Sequence, residues 1–183
     1  MKNTAHFAFW PKRVPHELVY PRVPLFEFLQ TSARRYPDAP AIVYYGTRIS
    51  YNRLLDEVNR LASVLSGMGV KKGDRVALYL QNTPHFVVGF YGILRANAVV
   101  VPINPMLTER EVLQLLADSG AVAAITTADL HHRLLNVKDQ SRLRHILVGR
   151  YGDYLPTSPE LPVPEAMQAD PGIDADVVWP WRA

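Results

Sequence analysis

One stretch constrains the fold more than any other: Gly73 to Thr126, GDRVALYLQNTPHFVVGFYGILRANAVVVPINPMLTEREVLQLLADSGAVAAIT. Arg75–Leu80 and Ala98–Pro102 are short apolar runs rich in β-branched residues, the pattern of strands buried on both faces. Between them Phe86, Val87, Phe90, Tyr91 and Leu94 recur at helical spacing, which predicts that they share one face of a helix. A second helix opens at Thr108, which can cap the Glu111 amide while Glu111 reaches back to the Thr108 amide. Its apolar positions are Val112, Leu115 and Leu116, and Gly120 stands where a left-handed C-cap is wanted. A third strand closes at Thr126. Strand, helix, strand, helix, strand implies parallel strands joined by right-handed crossovers.

The rest of the chain fits around this block. Pro24–Tyr36 reads as a helix with Leu25, Phe26, Leu29, Ala33 and Tyr36 on one face, stopped by Pro37-Asp38. Ala41–Tyr45 and Arg48–Tyr51 flank Gly46-Thr47 and predict a small antiparallel hairpin. Ser50 caps a long helix, Tyr51 to about Ser66, with Leu54, Leu55, Val58, Leu61, Ala62 and Leu65 as its buried stripe. Beyond the block, Thr127 is placed to cap a helix running through Leu135, and His145–Val148 reads as a further strand.

Two flanks lack any period. Residues 1–23 are rich in proline and aromatics; Phe7, Phe9, Trp10 and Tyr20 are too apolar for a free tail. This arm is expected to lie across a surface, of this unit, of a partner subunit or of a further domain. Residues 150–183 read as an extended, weakly structured segment rich in proline and acids. It ends at Trp179-Pro-Trp-Arg-Ala183, which carries no helix or strand signal of its own. Two tryptophans there call for something to pack on, an expectation of further chain. The organisation is thus an arm at 1–23, an α/β unit at 24–149 and a Pro-rich segment at 150–183.

Composition excludes several function classes. The 183 residues are 48% hydrophobic and 20% charged, ordinary for a globular domain. No apolar run approaches the roughly 20 residues that span a bilayer, and the start of the chain has no secretory pattern. There is no cysteine, hence no disulfide, thiolate zinc site or thiol nucleophile. The expected compartment is the cytoplasm. A formal charge of +3 is dispersed as Lys12-Arg13, Arg34-Arg35, Lys71-Lys72 and single arginines, which argues for solvated surface over nucleic-acid binding.

The chemistry inventory is short. Gly67, Gly69 and Gly73 follow a helix and lead into a strand, the reverse of a dinucleotide fingerprint, so they read as C-cap and turn. No phosphate loop of the Gly-x-x-x-x-Gly-Lys-Ser/Thr kind occurs. His131 and His132 point about 100° apart on a helix and do not share a metal easily. A nucleophile elbow is absent. Ser50, Ser63, Ser66 and Ser119 sit at caps or within helices, and Asp56, Glu57, Glu109 and Glu111 read as solvated charge or caps. The predicted strand ends, Gln81-Asn82-Thr83, Ile103-Asn104-Pro105 and Thr126-Thr127, could line a pocket, but their composition favours ordinary turns. No catalytic, cofactor-binding or metal-ligating residue is assigned.

The ordered strings Arg48-Ile-Ser-Tyr51-Asn-Arg-Leu54, Val58-Asn-Arg-Leu-Ala62, Gly69-Val-Lys-Lys-Gly-Asp-Arg-Val-Ala77, Gly92-Ile-Leu-Arg-Ala96, Val101-Pro-Ile-Asn-Pro105 and Asp118-Ser-Gly-Ala121 carry a resemblance. Together, over Pro24 to Gly149, the chain resembles the N-terminal region of the adenylate-forming acyl-CoA synthetases. The arm, with Trp10-Pro and Val14-Pro-His-Glu17, resembles the long-chain fatty-acid branch. The resemblance implies a three-layer α/β/α unit with a mostly parallel sheet. It also implies a parent enzyme that uses ATP, magnesium and CoA. That enzyme forms an acyl-adenylate from fatty acid with loss of pyrophosphate, then passes the acyl group to CoA. The family's phosphate loop, its aromatic-x-Thr-Glu segment, its ribose-binding Asp and its C-terminal Lys have no counterpart here, so no family site residue carries over. Where the family has Lys/Arg-Ala-Gly, this chain has Arg95-Ala-Asn97; Asn is the residue other than glycine that best tolerates positive φ.

The reading is therefore an N-terminal part of a fatty acid–CoA ligase, inactive by itself, whose partners are the remainder of its own chain and, through exposed edges, further copies. The other readings are a stand-alone binding or dimerisation module and, more remotely, a nucleotide-binding Rossmann domain.

Overall fold

The computed structural model describes residues 5–168, 172–173 and 179–180. The elements in chain order are α1 (Phe26–Arg35), β1 (Pro40–Tyr44), β2 (Thr47–Ser50), α2 (Tyr51–Gly67), β3 (Arg75–Tyr79), α3 (Pro84–Arg95) and β4 (Val99–Ile103). They continue with α4 (Glu109–Ser119), β5 (Ala123–Thr127), α5 (His131–Lys138), β6 (His145–Gly149), a four-residue α6 (Glu165–Gln168) and β7 (Trp179–Pro180). Short 3-10 turns lie at Ala5–Phe9 and Tyr151–Asp153.

The sheet runs β4-β3-β5-β6-β7 and is parallel throughout. Alternation along β3 sends Val76, Leu78 and Leu80 into one core and Ala77 and Tyr79 into the other. The first core is closed by α1, α2 and α3 through Leu29, Leu54, Val58, Leu61, Leu65, Val88 and Ile93. The second is closed by α4 and α5 through Val112, Leu116, Leu130, Leu134 and Val137. The three-layer α/β/α architecture follows directly. Each of these fully buried aliphatic side chains contributes about 1.5–3 kcal/mol of transfer free energy.

Several local expectations hold to the residue. Ser50 caps α2 by accepting from the Arg53 amide at 3.3 Å. Thr108 and Glu111 form a capping box, with Glu111 Oε2 accepting from the Thr108 amide at 2.8 Å. That bond holds the Glu111 carboxyl below its ordinary value. Gly120 takes φ +63° as the left-handed cap of α4, and Asn97 does take a positive φ, +57°.

Others are corrected. Strand β3 is buried on both faces, but β4 is the sheet edge: Val99 and Pro102 are exposed, and proline suits an edge because it brings no donor to the outer side. The hairpin turn is Tyr45-Gly46, both at positive φ, one residue earlier than expected; two left-handed residues in a row are what a two-residue turn requires. Helix α1 starts after Pro24 and Leu25, and it buries Phe26, Leu29 and Ala33 while Leu25 and Tyr36 are exposed.

Helix α3 adds what its spacing left open, the side that faces the sheet. The stripe Phe86, Val87, Phe90, Tyr91 is only half-buried, and the side against the sheet is His85, Val88, Gly89, Gly92 and Ile93. A Cβ on Gly89 would stand 2.8 Å from Leu78 Cδ2, and one on Gly92 would stand 2.6 Å from Leu61 Cδ2. The helix is apolar nearly all round, so the tightest contact goes to its smallest residues.

Downstream, Thr127 ends β5 and caps no helix; α5 begins at His131 with Leu130 before it. The segment after Gly149 is not merely extended. Tyr151 and Tyr154 are buried, the second within the first core. Trp179–Pro180 pairs in parallel with Leu147–Val148, so this part of the tail is a strand despite its silent sequence. Trp181 to Ala183 lie outside the described residues. Of the surfaces expected for the arm, that of this unit is not used by residues 11–25, each of which is exposed.

Candidate functional site

The carboxyl edge of the sheet is where an open α/β fold collects ligands, at the point where successive connections leave for opposite faces. Here that point lies between β3 and β5, because the chain leaves β3 for α3 in one layer and β5 for α5 in the other. The seam is tied shut by Thr126, whose Oγ1 donates to the Tyr79 carbonyl at 2.7 Å.

The polar residues singled out at this edge mostly serve the backbone. Asn104 Oδ1 accepts from the Met106 amide at 2.9 Å, an Asx turn. Thr83 is buried and its Oγ1 lies 3.4 Å from His85 Nδ1. Gln81 and Asn82 are exposed. Arg133 Nη1 donates to the Tyr79 hydroxyl at 3.2 Å and to the Leu107 carbonyl at 3.1 Å, so α5 clamps the turn after β4. Asn104 and Thr126 thus serve the backbone.

A second group was not legible in the sequence. His85, 1% exposed, directs Nε2 at Asp153 Oδ2 at 3.0 Å. That same oxygen accepts from the Arg150 amide at 2.8 Å. Gly149 ends β6 directly under the imidazole, where a Cβ would come within 2.4 Å of His85 Cδ2. Tyr154 packs edge-on to the His85 ring with centroids 4.6 Å apart, and its hydroxyl donates to Glu57 Oε2. Glu57 in turn accepts from Arg53 Nε at 3.0 Å. The first turn after β6 is thus fastened to α2 and α3 by buried polar contacts. Gly149 followed by an acid three residues after Arg150 was the one available signal, and its partner His85 lies far away in sequence.

A third group lies beside it. The Tyr151 hydroxyl donates to Asp129 Oδ2 at 3.2 Å, while Thr127 Oγ1 and Asp129 Oδ1 are buried without a hydrogen-bond partner. Burial pushes the Tyr151 hydroxyl above its ordinary pKa. Burial also pushes Tyr44 up to about 12, helped by the neighbouring Tyr45 and Tyr151 hydroxyls. The β1–β2 hairpin therefore sits over the same corner. Both its tyrosine hydroxyls reach Met167 Sδ, and the Glu160 amide donates to the Tyr45 carbonyl at 3.0 Å.

Elsewhere, the remaining candidates are structural. His131 is buried with Nδ1 2.6 Å from the Ala128 carbonyl, while His132 is exposed. Gly67, Gly69 and Gly73 lie at the end of α2 and in the turn into β3, at the opposite edge of the sheet. Among the described residues no group of three His, Asp or Glu could hold a metal, and no helix is long and apolar enough to cross a membrane. No reaction step is routed through the described residues.

Comparison with known proteins places this architecture. The family described as AMP-binding enzyme matches residues 29–176. A long-chain-fatty-acid–CoA ligase from Bacillus subtilis is 36% identical over 92% of this chain and 30% of its own. The Salmonella typhimurium ligase of the same name is 38% identical over 81% of this chain and 27% of its own. Among solved structures, a long-chain-fatty-acid-CoA ligase from Archaeoglobus fulgidus superposes with a TM-score of 0.68 at 25% identity. It covers 72% of this chain and 28% of that one. A Mycobacterium tuberculosis fatty acyl CoA synthetase gives 0.63 at 32% identity, over 67% of this chain and 26% of that one. The chain thus spans under a third of the length of these relatives. With the match running from the second turn of α1 to the segment before β7, the chain belongs to the AMP-binding enzyme family.

Proposed function

We propose that this chain is the N-terminal α/β scaffold of an AMP-forming fatty acid–CoA ligase. Such an enzyme converts fatty acid, ATP and CoA to acyl-CoA, AMP and pyrophosphate through an acyl-adenylate, with magnesium. The observation that carries the reading is the family match over residues 29–176 together with ligase relatives at 36% and 38% identity. In this reading, residues 24–149 supply the scaffold and residues 150–183 lead toward the catalytic part. The residues at the carboxyl edge fix backbone and supply no reacting group. His85 supports that assignment: it is 1% exposed and its Nε2 faces Asp153. The soluble cytoplasmic compartment is part of the same proposal.

The 183-residue protein is expected to give no ATP–pyrophosphate exchange with fatty acid and no acyl-CoA. The same chain extended to the length of its relatives should give both. Turnover by the short protein would defeat the scaffold assignment. Inactivity of the extended chain with every fatty acid tried would defeat the ligase assignment and favour a stand-alone binding or dimerisation module.

A further inference from the structure

Two buried oxygens at the carboxyl end of β5, Thr127 Oγ1 and Asp129 Oδ1, have no hydrogen-bond partner. Thr127 is fully buried and ends β5, in register with Gly149 at the end of β6. Alternation along β5 sends Ala123 and Ile125 into the first core, and Thr127 continues that face. The chain then turns, with the Leu130 amide donating to the Thr127 carbonyl at 3.0 Å. Asp129 lies in that turn, where the Tyr151 hydroxyl donates to its Oδ2 at 3.2 Å. Thr127 acts on the same hydroxyl, so the three side chains meet at one corner.

The chemistry of this corner is one-sided. Tyr151 gives its single proton to Asp129, and the carboxylate offers only lone pairs. The Thr127 hydroxyl accepts as well as donates. Among the described residues no lysine, arginine or histidine pairs with Asp129. A carboxylate with one oxygen sealed from solvent and unpaired is costly, so the corner calls for positive charge. A divalent ion fits poorly, because there is one carboxylate and the described residues hold no group of three His, Asp or Glu. A water would bridge the hydroxyls but would leave the carboxylate without a counter-ion.

We propose that Thr127, Asp129 and Tyr151 form a binding site for a small monovalent cation such as potassium. The ion takes Asp129 Oδ1 and Thr127 Oγ1 as ligands and has the Tyr151 oxygen beside it. Tyr151 opens the segment that follows β6, and its hydroxyl acts on Tyr44 of the β1–β2 hairpin. A cation at this corner therefore ties the end of β5 to that segment and stabilises the folded chain. The site goes beyond the ligase reading and does not depend on it, since its readout is stability and requires no turnover.

The test is thermal unfolding of the 183-residue chain in potassium chloride or tetramethylammonium chloride, each at about 0.15 M. Tetramethylammonium matches the ionic strength but is too large for a buried corner. Potassium should raise the wild-type midpoint by about 3–6 °C, the shift for a Kd about tenfold below the salt used. Asp129→Asn keeps an acceptor for Tyr151 and removes the charge, and Thr127→Val keeps the shape and removes the oxygen. Each variant should melt within about 1 °C in the two salts. In tetramethylammonium each should match or exceed wild type, because an unpaired buried oxygen has gone. Sodium-23 NMR reads binding without any variant: the wild-type chain should broaden the sodium line, and about 0.1 M potassium should reverse the broadening. Equal wild-type melting in the two salts, a potassium response kept by both variants, or an unbroadened sodium line would each overturn the proposal and leave an ordered water. A larger shift from about 5 mM magnesium or calcium than from potassium would overturn it in favour of a divalent ion.

Discussion

The arm at residues 5–23 and the segment at residues 150–168 are both rich in proline and short of periodic pattern, and both carry aromatic rings. Their fates differ: Tyr154 is 2% exposed and Tyr20 72%. Ordering a residue costs about 1–2 kcal/mol of backbone entropy, so an aperiodic segment settles only where partners offset that cost. The later segment finds them. Asp153 meets His85, Tyr151 meets Asp129, Tyr154 meets Glu57, and Glu160 and Met167 meet the β1–β2 hairpin. In the arm, the contacts among the described residues are those of Phe7, Trp10 and His16 with one another, and residues 11–25 stay exposed. Aromatic content alone therefore does not decide whether a segment packs; the availability of fixed polar and apolar partners does.

Three substitutions probe that contrast. Tyr154→Ala should have the largest effect, destabilising the chain by about 3–5 kcal/mol, because it empties part of the first core and leaves Glu57 with one partner fewer. Urea unfolding checks this, and a loss below about 1 kcal/mol would put the segment after Gly149 on a level with the arm. Gly149→Ala comes next, at about 1–3 kcal/mol, since the new methyl meets the His85 ring and buried backbone cannot readily yield. Protease cleavage near Arg150 should accelerate in that variant before the rest of the fold opens. Smallest is Tyr20→Ser, expected to move stability by less than about 0.5 kcal/mol. A larger loss there would show the arm packed on the unit in solution.

Much of the sheet unit could be read from the residues because its signals are local. Thr108 and Glu111 cap α4 across a single turn, Gly120 and Asn97 take positive φ where their side chains permit it, and β3 is apolar on both faces. Where the reading slipped, two local solutions competed. The hairpin turn moved to Tyr45-Gly46 because the twist of the strands prefers two left-handed residues there. Which face of α3 goes in was not readable, because an all-round apolar helix does not announce it. Gly89 and Gly92, three apart, were the signal that Leu78 and Leu61 press close.

The candidate site was less legible. Gln81, Asn104 and Thr126 were readable as turn and edge residues, but His85 looked like an ordinary helix residue beside a proline. Its role depends on Asp153, on Gly149 and on Tyr154, which arrive only when β6 lies beside β5. The family strings between Pro24 and Gly149, by contrast, required no geometry at all.

By itself, the sequence determined the alternation of strands and helices, their caps and the family. Hydrogen-bonding reach, φ preference and side-chain period act within a few residues. Only the tertiary structure decided which face of α3 is buried, that β4 is an edge, and that Trp179–Pro180 adds a strand beside Leu147–Val148. It also decided that Tyr154 is held while Tyr20 is not. Those outcomes depend on which surfaces meet, and contacts between distant parts of a chain leave little trace in the residues that make them.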